Sequence, residues 1–331
     1  MSFSTKNPLF KEFDIMKKIL LIVGKVVMFI ILGVIALFLL TVIGLNVAKH
    51  FIYSEYYSIK TNICKNPGLN DGFVCQGIAV SEENGVILVC GYMKDKRNSS
   101  IYVTDFESNS YYVELTRAGE KYTGHAGGLA ITGDTVYIAN AKKIYSFPLE
   151  SVLSAKNGDI VDMGSGTKVN TNASFVYTDE EFLYVGEFHD GGKYVIENHE
   201  HETAEGTHYA ICTKYALNDL ETPVAVYTLR NNVQGICFTP DGKAVLSTSY
   251  GLTDTVYYVY NLADIKVSDE TFDGAPVYYL DKLEKEIHGP AMGEDLDYYD
   301  GKIITLTESA STKYIFGKLF GATKIVGLNI D

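Results

Sequence analysis

The sequence predicts an all-β protein, a β-propeller of five blades, preceded by one N-terminal transmembrane helix. Three features predict this architecture: an uncharged apolar stretch near the N-terminus, a hairpin pattern that occurs five times after it, and strands rich in Val, Ile, Tyr and Phe. Four-stranded units repeated along a chain are typical of propeller blades. A sixth blade, built from residues 51–70 and the C-terminal strands, stays open as an alternative. A β-sandwich fits the long repeat poorly.

The anchor is the apolar stretch from Val26 to Val47, which contains no charged residue. A helix of this length crosses a hydrocarbon core of about 30 Å, and it exceeds the roughly 7–15 apolar residues of a cleaved signal peptide. Five lysines precede the stretch, whereas only Lys49 follows closely. The positive-inside rule therefore predicts a signal anchor in the cell membrane, with the N-terminus cytoplasmic and the C-terminal domain extracytoplasmic. The predicted organisation is a cytoplasmic tail (1–25), the anchor (26–47), a linker with the first strand (48–70) and the propeller ectodomain (71–331).

Composition limits the partners of the ectodomain. The chain of 331 residues has a formal net charge of −13, and the acidic excess lies after the anchor. Such a domain repels phosphate backbones, so nucleic acid is excluded as a partner. The five cysteines leave two interpretations open: a disulfide between Cys64 and Cys75, which enclose a short loop, or five buried free thiols.

The repeat consists of an apolar strand, a tight polar turn and a second apolar strand. Each turn contains Asn-Gly, Gly-Asp, Asp-Glu or Asp-Gly, which accept the backbone angles of hairpin turns. Two further strands follow most of the hairpins, which gives four antiparallel strands per unit. Neighbouring units packed face to face bury both sides of each sheet, and closure into a ring leaves no end unit uncovered. The five segments begin at Gly77, Gly128, Ser174, Gly235 and Asp295.

Alignment of the repeats predicts a site at one mouth of the central channel, where the first strand of each blade begins and the second ends. The predicted lining is polar: Gln76, His125, Asn140, Asn172, Glu187, Gln234, Glu294 and Glu308. Carboxylate and amide oxygens suit calcium, which would polarise an ester, lactone or phosphate. The candidate catalytic groups are His125, Glu187 and Glu308. The alternative is that these side chains only bind water and one another.

A histidine-rich segment, residues 189–208, interrupts the third unit. Two interpretations stay open: a solvated polar loop, or a site for zinc or another transition metal, although the spacing matches no known ligand signature. The four histidines of the segment are His189, His199, His201 and His208.

The motifs QGIAV, GHAGGLAI and QGICF resemble those of exported or membrane-anchored bacterial β-propeller proteins of uncharacterised function. The pattern is more distantly similar to lactonase and arylesterase propellers. That resemblance implies a calcium ion in the channel, and by analogy its ligands would be Glu294, Asn140, Asn172 and Glu187. The sequence contains no G-x-S-x-G elbow, P-loop or dinucleotide-binding fingerprint. The leading hypothesis is therefore a module that binds an unknown ligand or protein at the cell surface, and the alternative is a calcium-dependent hydrolase.

Overall fold

The structure is a computed structural model that describes residues 8–314 and 316–330. Two compact units meet in the chain between Ile52 and Tyr53. The first unit is one helix, α1 (Pro8–Ile52), which contains the predicted anchor and continues beyond it at both ends. Among the described residues, one helix, Glu12–Ile52, is long and apolar enough to cross a membrane, and an 18-residue window within it has a mean hydropathy of 3.2. Part of the predicted tail, residues 1–7, lies outside the described residues.

The second unit is a ring of five antiparallel blades, as the sequence predicts. It begins with α2 (Ser54–Ile59) and β1 (Lys60–Lys65). Blade one has four main strands: β2 (Phe73–Ser81), β3 (Val86–Met93), β4 (Ser100–Asp105) and β5 (Ser110–Arg117). A short strand, β6 (Glu120–Lys121), pairs with β5.

Blade two contains β7 (Gly128–Thr132), β8 (Thr135–Asn140), β9 (Lys143–Pro148) and β11 (Thr167–Lys168). Between β9 and β11 lie α3 (Glu150–Leu153) and β10 (Ile160–Asp162), and β10 pairs in parallel with β5 of blade one. Blade three contains β12 (Phe175–Thr178), β13 (Phe182–Gly186), β16 (Ala210–Ala216) and β17 (Asp219–Leu229). The histidine-rich segment forms a separate hairpin of β14 (His201–Thr203) and β15 (Gly206–His208).

Blade four contains β18 (Val233–Phe238), β19 (Lys243–Thr248), β20 (Thr255–Asn261) and β23 (Leu283–Gly289). A hairpin of β21 (Lys266–Phe272) and β22 (Ala275–Tyr279) leaves blade four and extends the sheet of blade three. Blade five contains β24 (Gly293–Tyr299), β25 (Lys302–Thr307) and β26 (Lys324–Leu328), with α4 (Phe316–Leu319) before β26.

Strand β1 closes the ring because it pairs with β26 as the outer strand of blade five. The first strand of the second unit and the C-terminal strands therefore share one sheet, so the alternative of a sixth blade is wrong. The inner strands β2, β7, β12, β18 and β24 lie next to one another in that order, and β24 returns to β2.

Glycine allows these inner strands to approach closely. A Cβ on Gly128 would lie 2.4 Å from the backbone nitrogen of Val176, and one on Gly77 would lie 2.6 Å from that of Leu129. Backbone atoms of a neighbouring blade cannot rotate away as a side chain can. Gly77 on β2 and Gly128 on β7 are therefore packing requirements at the contacts between neighbouring inner strands.

All five cysteines are buried free thiols, so the predicted disulfide is wrong and the alternative holds. Cys64 lies on the outer strand of blade five, whereas Cys75 lies on the inner strand of blade one. The Cys75 Sγ atom instead lies 3.2 Å from the amide nitrogen of Asn66 and 3.4 Å from the carbonyl oxygen of Thr307.

Candidate functional site

The predicted mouth, called here the entry mouth, brings together Gln76, Glu294 and Glu308. The side-chain nitrogen of Gln76 donates to Glu308 Oε2 at 3.1 Å, and the Tyr314 hydroxyl donates to the same carboxylate. Glu294 is 3% exposed and accepts no hydrogen bond from the residues that the structure describes. A short 3-10 helix, Glu308–Ala310, begins directly after β25 and positions Glu308 beside β2.

Glu294 and Glu308 hold protons more tightly than ordinary glutamates. Burial raises the pKa of Glu308 to about 7. Burial, and then the negative charges of Glu308 and Asp295, raise the pKa of Glu294 well above its usual value. Because neighbouring carboxylates oppose each other's ionisation, the pair retains a proton near neutral pH. Such a pair has the chemistry of an acid and a base side by side.

Aromatic and basic side chains lie over this carboxyl pair. The Lys313 ammonium contacts the hydroxyl of Tyr92 and lies 4.8 Å from the ring centres of both Tyr92 and Tyr314. The His125 ring lies 4.9 Å from that of Tyr92. Partial burial, and then the charge of Lys313, lower the pKa of His125, so the imidazole is neutral at neutral pH. Sequence reasoning found His125 but missed Tyr92, Lys313 and Tyr314.

Glu187 lies in a different environment from Glu294. Its fully buried carboxylate accepts hydrogen bonds from the backbone of Asn172 at 2.9 Å, from His199 Nδ1 at 2.8 Å and from the backbone of Ile211 at 3.2 Å. Glu187, Asn172 and His199 line a separate cavity of about 360 Å³ together with Lys142. Glu187 therefore attaches the histidine-rich segment to blade three.

The four predicted calcium ligands have different surroundings in the structure. Glu294 pairs with Glu308, Glu187 and Asn172 line the separate cavity, and Asn140 is not among the residues that line it. Across residues 8–314 and 316–330, no group of three or more His, Cys, Asp and Glu side chains is placed to hold a metal ion. Calcium binding stays a prediction that a titration must decide. Gln234 contacts its own blade, donating to the carbonyl oxygen of Ser249 at 3.4 Å.

The predicted zinc site is not assembled either, because each imidazole has a different partner. His189 Nδ1 accepts from the backbone of Ile196 at 3.2 Å, and His199 binds Glu187. The other two contacts are His201 with Glu270 at 2.5 Å and His208 with Thr228 at 2.9 Å. His199, His201 and His208 join the insertion to the sheet of blade three, whereas the His189 contact lies within the insertion.

A larger cavity of about 1130 Å³ lies at the opposite end of the channel, where the hairpins turn. We call it the hairpin cavity. One wall is aromatic and comes from blades three and four. The Phe238 ring centre lies 4.4 Å from that of Tyr184, 5.7 Å from Tyr227 and 5.9 Å from Tyr177. The Tyr177 hydroxyl donates to the backbone oxygen of Phe238 at 3.0 Å and fixes this wall.

Acidic side chains form the rest of the hairpin cavity. Six carboxylates line it, whereas Lys214 is the one basic side chain among the described residues that do so. Five of the acids are Glu82, Glu83, Asp134, Asp179 and Glu180, which lie at or beside the hairpin turns of blades one to three. The sixth, Asp297, accepts from the backbone of Val80 at 2.7 Å and of Tyr298 at 2.8 Å. Burial raises its pKa to about 7. Sequence reasoning missed this cavity, although acidic hairpin turns in three successive repeats were a visible signal.

Comparison with solved structures finds propeller-like proteins of low sequence identity. The PQQ-bound aldose sugar dehydrogenase of Streptomyces coelicolor is 14% identical over 75% of this chain and 76% of that chain, with a TM-score of 0.43. Glutaminyl cyclase of Myxococcus xanthus is 10% identical over 74% and 90%, with a TM-score of 0.42. A putative glucose dehydrogenase of Thermus thermophilus is 11% identical over 81% and 99%, with a TM-score of 0.42. No protein-family model and no curated protein sequence matches the chain.

Proposed function

We propose that this protein is a membrane-anchored, extracytoplasmic binding module that takes a small ligand into the hairpin cavity. The observation that supports the proposal is the cavity itself, about 1130 Å³ with one aromatic wall and several carboxylates. Ligand pockets of proteins are typically about 300–1,000 Å³, with aromatic walls and a few polar groups that orient the ligand. The hairpin cavity lies just above this size range, and it combines an aromatic wall with more charged groups than an average pocket.

The anchor is helix α1, whose apolar side chains are exposed along its length. Leu20 and Phe29, for example, are 75% and 67% exposed. An exposed helix of this hydropathy is stable in lipid because every backbone group is hydrogen-bonded within the helix. The lysines before the apolar stretch favour a cytoplasmic N-terminus and an extracytoplasmic propeller.

A solute screen with a blocked cavity tests binding. The full-length chain in non-ionic detergent is melted with sugars, amines, carboxylates and aromatic solutes, and the melting temperature is recorded for each. In Thr132→Trp an indole fills part of the hairpin cavity, whereas Thr135→Trp places the same side chain outside its lining. We expect at least one solute class to raise the melting temperature of the parent protein and of Thr135→Trp but not of Thr132→Trp. Stabilisation by no solute, or equal stabilisation of both variants, contradicts the proposal.

Introduced cysteines test the orientation. Burial raises the pKa of all five native thiols, so they react slowly with a maleimide. Asp269→Cys places an exposed thiol on the propeller, and Lys17→Cys places one before the apolar stretch. In intact cells, a membrane-impermeant maleimide should label Asp269→Cys and not Lys17→Cys. The reverse pattern would show that the propeller is cytoplasmic.

A second candidate function, ester or lactone hydrolysis, is favoured by the carboxyl pair of the entry mouth. Burial raises the pKa of Glu308 to about 7, and a neutral His125 packs against Tyr92 at the same mouth, which suits general acid–base catalysis. The test measures hydrolysis of aryl esters and lactones with and without calcium. A hydrolase of this kind loses activity in Glu308→Gln and keeps it in Thr132→Trp. Failure of the parent protein to hydrolyse any of these substrates, with or without calcium, would dismiss this candidate.

A further inference from the structure

We infer that the ligand of the hairpin cavity is a small organic cation with an apolar body, an inference that rests on the proposed binding function. Cation selectivity follows first from the charges of the lining. Six carboxylates and one ammonium give the cavity a formal charge of −5 when all are ionised. Clefts lined by charges of one sign concentrate ligands of the opposite sign.

The one ammonium, Lys214, does not neutralise the acids of blades one and two, because its partners belong to blade three. Its Nζ atom lies 4.0 Å from the Asp179 carboxylate and 3.7 Å from the ring centre of Phe182. The Tyr184 ring lies 5.2 Å away. The Tyr184 hydroxyl also donates to Asp179 at 2.6 Å, which keeps that carboxylate in place.

Lys214 also shows how this wall holds an ammonium. A cation over aromatic faces is stabilised by the quadrupole of the rings, and a nearby carboxylate adds to that stabilisation. The same combination continues from Lys214 into the cavity, where Tyr184, Tyr227 and Phe238 form the aromatic wall. A ligand with an apolar body can lie on this wall while its ammonium points towards the carboxylates.

The rim acids of blades one and two are available for such a ligand. Glu82, Glu83 and Asp134 are exposed, and no hydrogen bond or ion pair joins their carboxylates to a described residue. Their like charges repel one another where the turns of the two blades meet at the cavity. A bound cation relieves that repulsion, whereas a neutral ligand leaves it unchanged and an anion increases it.

Two probes of nearly equal shape separate charge from apolar contact. Phenethylamine carries an ammonium at neutral pH, and 2-phenylethanol replaces it with a neutral hydroxyl. Calorimetric titration uses the full-length chain in non-ionic detergent at low and moderate salt. We expect phenethylamine to bind at least about tenfold more tightly than 2-phenylethanol, with a preference that weakens as salt increases.

Two triple variants with the same change in net charge locate the effect. E82Q/E83Q/D134N neutralises the rim acids of blades one and two, whereas E107Q/E120Q/D269N neutralises three exposed acids outside the cavity lining. The rim variant should lose most of the preference for phenethylamine, and the matched variant should keep it. Both should melt close to the parent protein because none of the six side chains accepts a hydrogen bond from a described residue.

The outcomes separate this inference from the function on which it rests. In one outcome, Thr132→Trp blocks the binding of neutral or anionic solutes while phenethylamine binds no more tightly than 2-phenylethanol. In that case the cation inference is wrong and the binding function stands. If no solute binds in a way that Thr132→Trp blocks, both fail. If the two triple variants lose affinity equally, the attraction comes from the whole acidic domain, and the assignment to this cavity is wrong.

Discussion

Asp295 is a buried carboxyl that joins three blades. Its replacement by Ala and by Asn separates the effect of its acceptor oxygen from the effect of its charge. Asp295 lies on β24 of blade five and is fully buried. Its Oδ2 atom accepts from the backbone of Ile78 in blade one at 3.4 Å and from that of Leu129 in blade two at 3.2 Å. Alanine leaves both donors buried without a partner. Each such donor costs about 1–3 kcal/mol, and because both bonds are long we expect Asp295→Ala to lower the free energy of unfolding by about 2–4 kcal/mol.

Asparagine keeps an acceptor oxygen and has no charge. Burial raises the pKa of Asp295 well above its usual value, so the neutral amide resembles the form that the folded protein favours. We therefore expect Asp295→Asn to cost less than about 1 kcal/mol, the typical worth of one hydrogen bond. At about 2 °C per kcal/mol for a domain of this size, the melting temperature should fall by about 4–8 °C for Ala and by less than about 2 °C for Asn.

The assay is thermal unfolding of the full-length chain in detergent, followed by circular dichroism. Asp269→Ala, at an exposed position, is the control and should melt with the parent protein. An equal fall in melting temperature in Asp295→Ala and Asp295→Asn would show that the shape or charge of this side chain, and not the two backbone donors, decides stability. An alanine variant that melts with the parent protein would refute the bridging role of Asp295.

Three further predictions concern packing and pH. Gly128→Ala should lower the free energy of unfolding by about 1–3 kcal/mol, because its Cβ would meet the backbone of Val176 at 2.4 Å. The control in the same melt is Gly192→Ala, whose Cβ would have no atom closer than 3.8 Å. The melting temperature should fall between pH 5 and pH 8. The pKa of Glu308 is raised to about 7, so the folded state binds this proton more tightly than the unfolded state and loses that stabilisation as the pH rises. Glu308→Gln should reduce the fall in melting temperature. The affinity for phenethylamine, measured by calorimetry, should rise from pH 6 to pH 8. Burial raises the pKa of Asp297 to about 7, and a bound cation favours its ionised form. Asp297→Asn should flatten this rise in affinity. The other titratable groups that interact with this carboxyl all have raised pKa values: Asp295, Tyr177 and Cys237.

The blades were predictable from sequence because their signals are local. Hairpin turn residues and alternating apolar strands recur within each repeat, and turn chemistry alone fixes where a hairpin reverses. The glycines Gly77 and Gly128 were visible in the same repeats. Their structural reason, contact with the backbone of the next blade, depends on ring closure and is not a local property.

The entry mouth was only partly predictable, because aligned positions do not fix the direction of a side chain. Strands β2, β18 and β24 each have a register shift near their start. A shift of one residue moves a side chain to the other face of the strand. Gln76 and Glu308 meet as predicted, whereas Glu187 turns towards the histidine-rich segment. Lys313 and Tyr314 follow β25 in a segment that has no counterpart in the other repeats, so no alignment could place them.

A single tryptophan in the hairpin cavity provides the most direct test of ligand binding there. The natural chain has no Trp, so Tyr299→Trp introduces one reporter that lines the cavity, and Tyr250→Trp introduces one at an exposed position outside it. Fluorescence of both full-length variants is measured during titration with phenethylamine. The account predicts a saturable emission change in Tyr299→Trp and none in Tyr250→Trp. A flat titration of Tyr299→Trp, or equal changes in both variants, would contradict it.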